Sequence, residues 1–453
     1  MCHMIMSCAS DLQTATMKTL EACEVSERDV LCSSTSKYLI KEFIGEGCFS
    51  KVARGANLFT SQDVALKLLK SERSARREIR MLEAVSALDP VKKNVVRFLE
   101  TFVVKEQTCL VFEVLDRNLY QLLRERQMKP LSPNEIRPIA HQLVTAFNGL
   151  KGLGVIHSDL KPDNIMLVNH VNEPFRVKII DFGVSFMTSD YIRGQKIQPL
   201  GYRAPEVTLG LPVSEAIDMW SLGCVLVLLY IVHNPFSKYC EYQSMGNIVD
   251  MLGQPADHLL DAGFHTNKFF EVNQHWNKPR WWMKTPKEYQ LSSGLGPKKR
   301  KRDFKRLSDL ITIYPERQGA IELEDRRAFV SLLSCLLDTD PAKRITPERA
   351  LAHPFLTMVH LAKKIDIKYF QDSLEKMKVL GFDNLKNGLS SFGETTSAAK
   401  KGTRDQEPSA RTHPTPAKPH PTQKTPAKNE SSPAKVKKSR LKRIRNFFGR
   451  IMS

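Results

Sequence analysis

The strongest constraint on the fold is a change of hydrophobic period near residue 114. Before it, short apolar runs at 38–43, 52–57, 64–69, 95–103 and 109–113 read as strands. They surround one helical stretch at 74–87 that sets Ile79, Leu82 and Val85 on one face. After it, the spacing predicts helices at 119–127, 133–150, 216–232, 328–337 and 347–352. A small strand-rich part followed by a larger helix-rich part predicts an α+β fold with two lobes. The boundaries expected are 38–113 and 114–356, with an insertion at about 256–325 in the larger lobe.

The flanks read differently. Residues 1–36 are mixed and polar and are expected to be loose, and 357–392 to be a partly helical extension. Over 393–434 the composition collapses into Ser, Thr, Pro, Ala and Lys, too little apolar surface to offset chain entropy, so disorder is expected. That stretch repeats a [Ser/Thr]-Pro-Ala-Lys unit at Thr415, Thr425 and Ser432, each a candidate phosphosite or plain linker. At 435–453, Leu441, Ile444, Phe448 and Ile451 fall at helical spacing among eight basic residues, which reads as a basic amphipathic helix.

Charge follows the same division. The chain carries 68 Lys and Arg against 49 Asp and Glu, a net of +19, and +11 of this lies in residues 401–453. An anionic partner for the tail is therefore expected: nucleic acid, a membrane surface or an acidic protein. Pro297-Lys-Lys-Arg-Lys-Arg302 reads as a nuclear import run, with a solvated basic loop as the alternative. Nine scattered cysteines with no C-x-x-C spacing predict reduced thiols in a nuclear or cytoplasmic protein. The first ten residues lack the pattern of a signal peptide. The longest apolar run, 222–232, is too short for a bilayer core of about 30 Å and reads as a buried helix.

Chemistry is concentrated in an ordered series of motifs. Gly45-Glu-Gly47-Cys48-Phe49-Ser50-Lys51-Val52 is a Gly-x-Gly turn whose backbone can approach a polyphosphate, with Ser50 where a third glycine usually stands. Lys67, ending Val64-Ala-Leu-Lys67, is placed to pair phosphates, and Glu78 is its expected partner, with Glu72 and Glu83 as rivals. His157-Ser-Asp159-Leu-Lys161-Pro-Asp-Asn164 follows, then Asp181-Phe-Gly183 and Ala204-Pro-Glu206. In phosphoryl transfer a protein mainly positions groups and neutralises charge. Asp159 would orient the acceptor hydroxyl and Lys161 would steady the moving phosphoryl group. Asn164 and Asp181 offer Mg²⁺ the hard oxygen ligands it prefers.

These motifs, in this order, resemble the protein kinase superfamily over residues 38–356. Tyr202-Arg-Ala-Pro-Glu206 and the insertion resemble the CMGC group. Thr108-Cys-Leu-Val-Phe-Glu113, Asp163-Asn-Ile-Met-Leu-Val168, Leu209-Gly-Leu-Pro212, Glu215 to Cys224 and Lys343-Arg-Ile-Thr-Pro347 resemble the homeodomain-interacting protein kinases, close to the dual-specificity tyrosine-regulated kinases. The resemblance implies a bilobal kinase fold, ATP as phosphate donor with Mg²⁺, and protein Ser or Thr as acceptor. It implies that Ile44 to Val52, Ala65 and Lys67 enclose ATP. Phe112 would guard the back of the pocket, and Glu113 to Leu115 would meet the adenine. Asp218 would brace the catalytic loop, and Glu206 would pair with Arg344.

Two departures bear on regulation. Ser158 stands where many kinases carry an arginine that clamps an activation-loop phosphate. In Lys196-Ile-Gln-Pro-Leu-Gly-Tyr202, Lys196 falls where this family autophosphorylates a tyrosine, and Leu200 replaces an arginine. An activation loop without the tyrosine switch is expected, with Tyr191 as a weaker substitute site. Substrates with proline after the acceptor, the family's tendency, are expected too. The rivals are a pseudokinase scaffold and a protein whose basic tail is its main business at chromatin or membrane. Monomer is assumed.

Overall fold

The structure is a computed structural model that describes residues 25–47, 49–273, 280–296, 304–315, 319–364 and 368–381. The chain divides into two units, 1–395 and 396–453, and all described residues lie in the first. Cys48, the basic run at 297–302 and the segments expected at 393–434 and 435–453 lie outside the described residues.

The smaller lobe is an antiparallel sheet with one helix against it. Its elements are β1 (Val30–Cys32), β2 (Lys37–Glu46), β3 (Ser50–Asn57), β4 (Asp63–Leu69), α1 (Glu72–Val85), β5 (Phe98–Val104) and β6 (Gln107–Glu113). The strand order is β1-β2-β3-β4-β6-β5. Alternation does the sorting in β4: Val64, Leu66 and Leu68 are buried in the sheet core with Tyr38, Ile40 and Val111. Ala65 and Lys67 therefore point to the other face. On α1 the buried positions are Ala75, Glu78, Met81, Leu82 and Val85, a helical stripe with one carboxylate in it.

Two expectations are corrected here. Part of the segment expected to be loose forms β1, paired with β2 from Val30↔Leu39 to Cys32↔Lys37, because Leu31 is 1% exposed and plugs the end of the sheet core. Strand β5 starts at Phe98 rather than 95, and Val95 instead makes a lone bridge to Ile179 in the other lobe.

The larger lobe continues with α2 (Leu119–Glu125), α3 (Pro133–Gly152), β7 (Val155–Ile156), β8 (Ile165–Asn169), β9 (Glu173–Ile179), β10 (Phe186–Met187), α4 (Pro205–Leu209), α5 (Ala216–Ile231) and α6 (Glu241–Leu252). Then come α7 (Asp257–Ala262), α8 (Thr266–Phe269), β11 (Phe270–Val272), β12 (Trp281–Met283), α9 (Pro286–Ser293), α10 (Ala320–Leu336), α11 (Pro347–Leu351), α12 (Pro354–Thr357) and α13 (Lys368–Met377). Helix α3 begins with Pro133 at its first turn, and the Glu135 carboxylate accepts the Ser132 N–H at 2.8 Å. Every residue of α5 after Ala216 is buried, so the apolar run is the lobe's central helix. No described helix is long and apolar enough to cross a membrane.

Helix α10 begins at 320, two turns before the expected 328. Its first turns carry Glu322, Asp325 and Arg326, which look solvated in sequence but are all buried. Asp325 pairs with the buried Arg137 of α3 and accepts the Tyr369 hydroxyl of α13 at 2.7 Å. These polar contacts, with Phe370 and Met377, pack α13 against the lobe.

Glu206 and Arg344 form a two-pronged buried pair at 2.6 and 2.9 Å, with the guanidinium 5.1 Å from the Trp220 ring centre. Removing one partner strands a desolvated charge. Arg344→Ala is expected to cost about 3–5 kcal/mol of stability, read as a lower urea midpoint with an unchanged slope. A midpoint within error of wild type contradicts this account.

Candidate active site

The glycine-rich turn joins β2 to β3, with Gly45 opposite Val52 and Glu46 opposite Lys51. A Cβ on Gly45 would meet nothing within 4 Å, and one on Gly47 only the Ser50 carbonyl at 3.9 Å. These glycines therefore leave open the space a polyphosphate's approach requires. Lys70 pins the turn through Glu46 at 2.7 Å and the Gly47 carbonyl at 3.1 Å. Ser50 lies in β3 opposite Leu69 and is not among the positive-φ residues, so a side chain is no strain there. Phe49 is 68% exposed at the tip.

Beneath the turn, the Lys67 ammonium sits between two carboxylates, Glu78 Oε1 at 2.6 Å and Asp181 Oδ1 at 2.8 Å. The rivals to Glu78 are exposed, and among the described residues Glu72 pairs only with Arg76 on its own helix. Burial pushes the Lys67 pKa down, but Asp181 and Glu78 together hold it above the ordinary lysine value. Burial raises Glu78. Burial would also raise Asp181, but Lys67 and the Gly183 N–H hold it below the usual carboxylate range. One ammonium and two carboxylates leave a net negative charge, a fit for a divalent cation.

Asp181 has φ +66°, a left-handed conformation that Asp tolerates better than most residues. Phe182 after it is fully buried and packs edge-on to His157 at 5.2 Å. The Asp218 carboxylate accepts the N–H groups of His157 at 2.7 Å and Ser158 at 2.9 Å, which holds the intervening turn, with Ser158 at φ +61°. The Ser158 hydroxyl donates to the Val184 carbonyl at 3.0 Å, tying this loop to the segment after Gly183.

Asp159 accepts from Lys161 Nζ and from Asn164 Nδ2, both at 2.8 Å. Asn164 spends its amide nitrogen on Asp159, which leaves its Oδ1 without a hydrogen-bond partner among the described residues. No group of three or more His, Cys, Asp or Glu able to hold a metal ion occurs among the described residues. Asn164 and Asp181 fit Mg²⁺, which takes few protein ligands and completes its shell from phosphate and water.

At the back, Phe112 stands opposite Ala65 on β4 and packs against Phe98 at 5.6 Å. The Glu113 carboxylate accepts from Lys178 Nζ at 2.5 Å and the Arg97 N–H at 2.6 Å. Leu115 packs on the larger core, and its backbone makes no hydrogen bond among the described residues. Ile44 is 57% exposed at the mouth.

The activation segment contains what sequence reasoning missed. Glu241, at the start of α6, accepts from Lys196 at 2.8 Å, Arg203 at 2.9 Å and Lys268 at 2.5 Å. Burial would raise its pKa, but Lys196 and Lys268 pull it down to about 2. Two of the cations come from the activation segment and the third from α8, all distant in sequence from Glu241, so no local motif announced the carboxylate. Arg203 also donates to the Gln198 carbonyl at 2.9 Å, with Gln198 at φ +63°. The Tyr191 hydroxyl is buried without a hydrogen-bond partner among the described residues, its ring 6.1 Å from that of Phe186.

A depressed carboxylate stabilises the fold above its ordinary pKa and loses that effect as pH falls toward the folded value. The stability gap between wild type and Glu241→Gln is therefore expected to hold from pH 7 to about 5 and to narrow below about 4.5. Urea midpoints across that range check it. A gap that does not change with pH contradicts the three-cation reading.

Residues 38–356 match the family described as protein kinase domain. Homeodomain-interacting protein kinase 1 of Rattus norvegicus is 39% identical over 366 residues, 79% of this chain and 30% of that protein. Homeodomain-interacting protein kinase 2 of Mesocricetus auratus is 41% identical over 348 residues, 75% of this chain and 30% of that protein. Homeodomain-interacting protein kinase 4 of Homo sapiens is 36% identical over 366 residues, 77% of this chain and 59% of that protein. The matched region thus spans between about a third and three fifths of these relatives' lengths.

Proposed function

The chain belongs to the protein kinase family, and from that premise we propose that it transfers the γ-phosphoryl group of ATP to Ser or Thr hydroxyls of protein substrates, preferring proline after the acceptor and needing no tyrosine phosphate. The observation that carries the transfer reading is Lys67 held at once by Glu78 and Asp181. That contact joins strand β4, helix α1 and the segment after β9, so the cationic and metal-binding groups stand in one cleft. Scaffolds that have given up transfer often lose at least one of Lys67, Asp159, Asn164 and Asp181, and this chain keeps all four.

The residues divide the work. Lys67 would draw the α- and β-phosphates and hold the nucleotide's charge in register. The backbone of Gly45 to Ser50 would cover the phosphates and exclude water. Bound Mg²⁺, held by Asn164 and Asp181, would neutralise charge between the phosphates. Asp159, already an acceptor for Lys161 and Asn164, would accept the hydrogen bond of the substrate hydroxyl and align it in line with the phosphoryl group. Lys161, beside it, would balance the charge on the transferring oxygens.

Proline preference is supported by the Gln198 carbonyl. Its oxygen is spent on the Arg203 guanidinium and is not offered to an incoming chain. A substrate N–H arriving there would lose its hydration without a partner, and proline has no N–H to lose. Independence from a tyrosine phosphate is supported by Glu241. It supplies Arg203 with the negative charge that a phosphotyrosine would bring, and Lys196, in the tyrosine's place, is attracted to the same carboxylate.

Labelled γ-phosphate transfer from MgATP tests the reading on peptides that differ only in Ser-Pro against Ser-Ala. Wild type is expected to label the Ser-Pro peptide about tenfold or more faster. Lys67→Arg and Asp181→Asn are expected to lose transfer with either peptide. No labelling above these variants, from folded protein, overturns the transfer reading, and equal use of the two peptides overturns the proline preference alone.

A further inference from the structure

Beside Asp159 the molecule has a second concavity, a cleft of about 710 Å³ between helix α1 and the activation segment. Its charged lining is Arg76, Arg77 and Arg80 from α1, Lys196 from the activation segment, and the carboxylates of Asp159 and Asp190. Lys196 is already held by Glu241 at 2.8 Å, and the three arginines against two carboxylates still leave the cleft electropositive.

The three arginines are available. Arg77 is exposed and makes no ion pair or hydrogen bond among the described residues. Arg80 pairs with Asp190 at 2.9 Å with side chains 63% and 37% exposed, and Arg76 pairs with Glu72 at 3.2 Å with side chains 75% and 79% exposed. Such solvated pairs hold their partners weakly and exchange readily for a better anion. Arginine forks suit carboxylate and phosphate groups.

Position gives the cleft its meaning. Ile197, Gln198 and Pro199 form part of its wall, and the proline preference proposed above sets the residue following the acceptor against the Gln198 carbonyl. A substrate whose hydroxyl lies at Asp159 and whose next residue lies at Gln198 would send its following residues toward the three α1 arginines.

We propose that this cleft is a substrate subsite for an anionic side chain, carboxylate or phosphate monoester, two to four residues after the phosphoacceptor. The proposal rests on the transfer reading above and adds the substrate's charge to it. It selects proteins that are acidic, or already phosphorylated, on that side of the acceptor. Phosphate on this chain's own Thr188 or Ser189 is the other source of the same chemistry, and the test separates the two.

The full chain, treated with phosphatase and then freed of it, would be assayed on Ser-Pro peptides carrying Ala, Asp, phosphoserine or Lys at the second to fourth positions after the acceptor. The Asp and phosphoserine peptides are expected to exceed the Ala peptide in kcat/KM by roughly fivefold to tenfold, and the Lys peptide to fall below it. Raising salt should shrink the difference. Arg77→Ala combined with Arg80→Ala should bring the ratios to about one while the Ala peptide stays within about twofold of wild type, and Arg77→Lys should restore part of the preference. Equal rates on the Asp and Ala peptides, with robust transfer to both, overturn this proposal and leave the transfer reading standing. Transfer to none of the peptides overturns the reading beneath it. Loss of the preference alongside a Thr188 or Ser189 phosphate in untreated protein assigns the cleft to the chain's own phosphate and overturns the substrate assignment.

Discussion

The contact on which the rest depends is the Lys67 ammonium held between Glu78 and Asp181. Its three participants lie on a strand, a helix and a loop. Lys67 is placed by alternation in β4, Glu78 by the buried stripe of α1, and Asp181 by a left-handed turn next to a fully buried Phe182. Each is held by ordinary packing, yet a shift of any of them would leave a buried charge without its partner. The smaller lobe, α1 and the loop after β9 are thereby bound into one arrangement with the lobe that carries Asp159.

A second electrostatic centre holds the activation segment. Many kinases use a phosphate there, received by an arginine where this chain has Ser158. Here the serine hydroxyl ties the catalytic loop to Val184, and Glu241 gathers Lys196, Arg203 and Lys268. In the proposed reading the fold supplies this charge in place of a modification. One arginine, Arg203, serves both this centre and the Gln198 carbonyl.

Much of this was legible in sequence where the signal is local. The alternation of Val64, Leu66 and Leu68 around Lys67 is a two-residue period, and the catalytic-loop motif keeps Asp159, Lys161 and Asn164 within six positions. Buried charge was not legible. The first turns of α10 were missed because Asp325 and Arg326 look solvated until their partners, Arg137 and Glu322, are known. Glu241 was missed for the same reason, its three cations lying 38 and 45 residues upstream and 27 downstream. Strand β1 hangs on one buried leucine, too little to show a period.

The central claim is that the active arrangement is held by side-chain charges alone. The most direct test is the initial rate of γ-phosphate transfer by protein co-expressed with a phosphatase and shown by intact mass to carry no phosphate. The account predicts transfer without a lag, at a rate that prior incubation with MgATP does not raise, and its loss in Glu241→Gln. A lag that ends as phosphate appears on Tyr191, with Tyr191→Phe inactive, would contradict it.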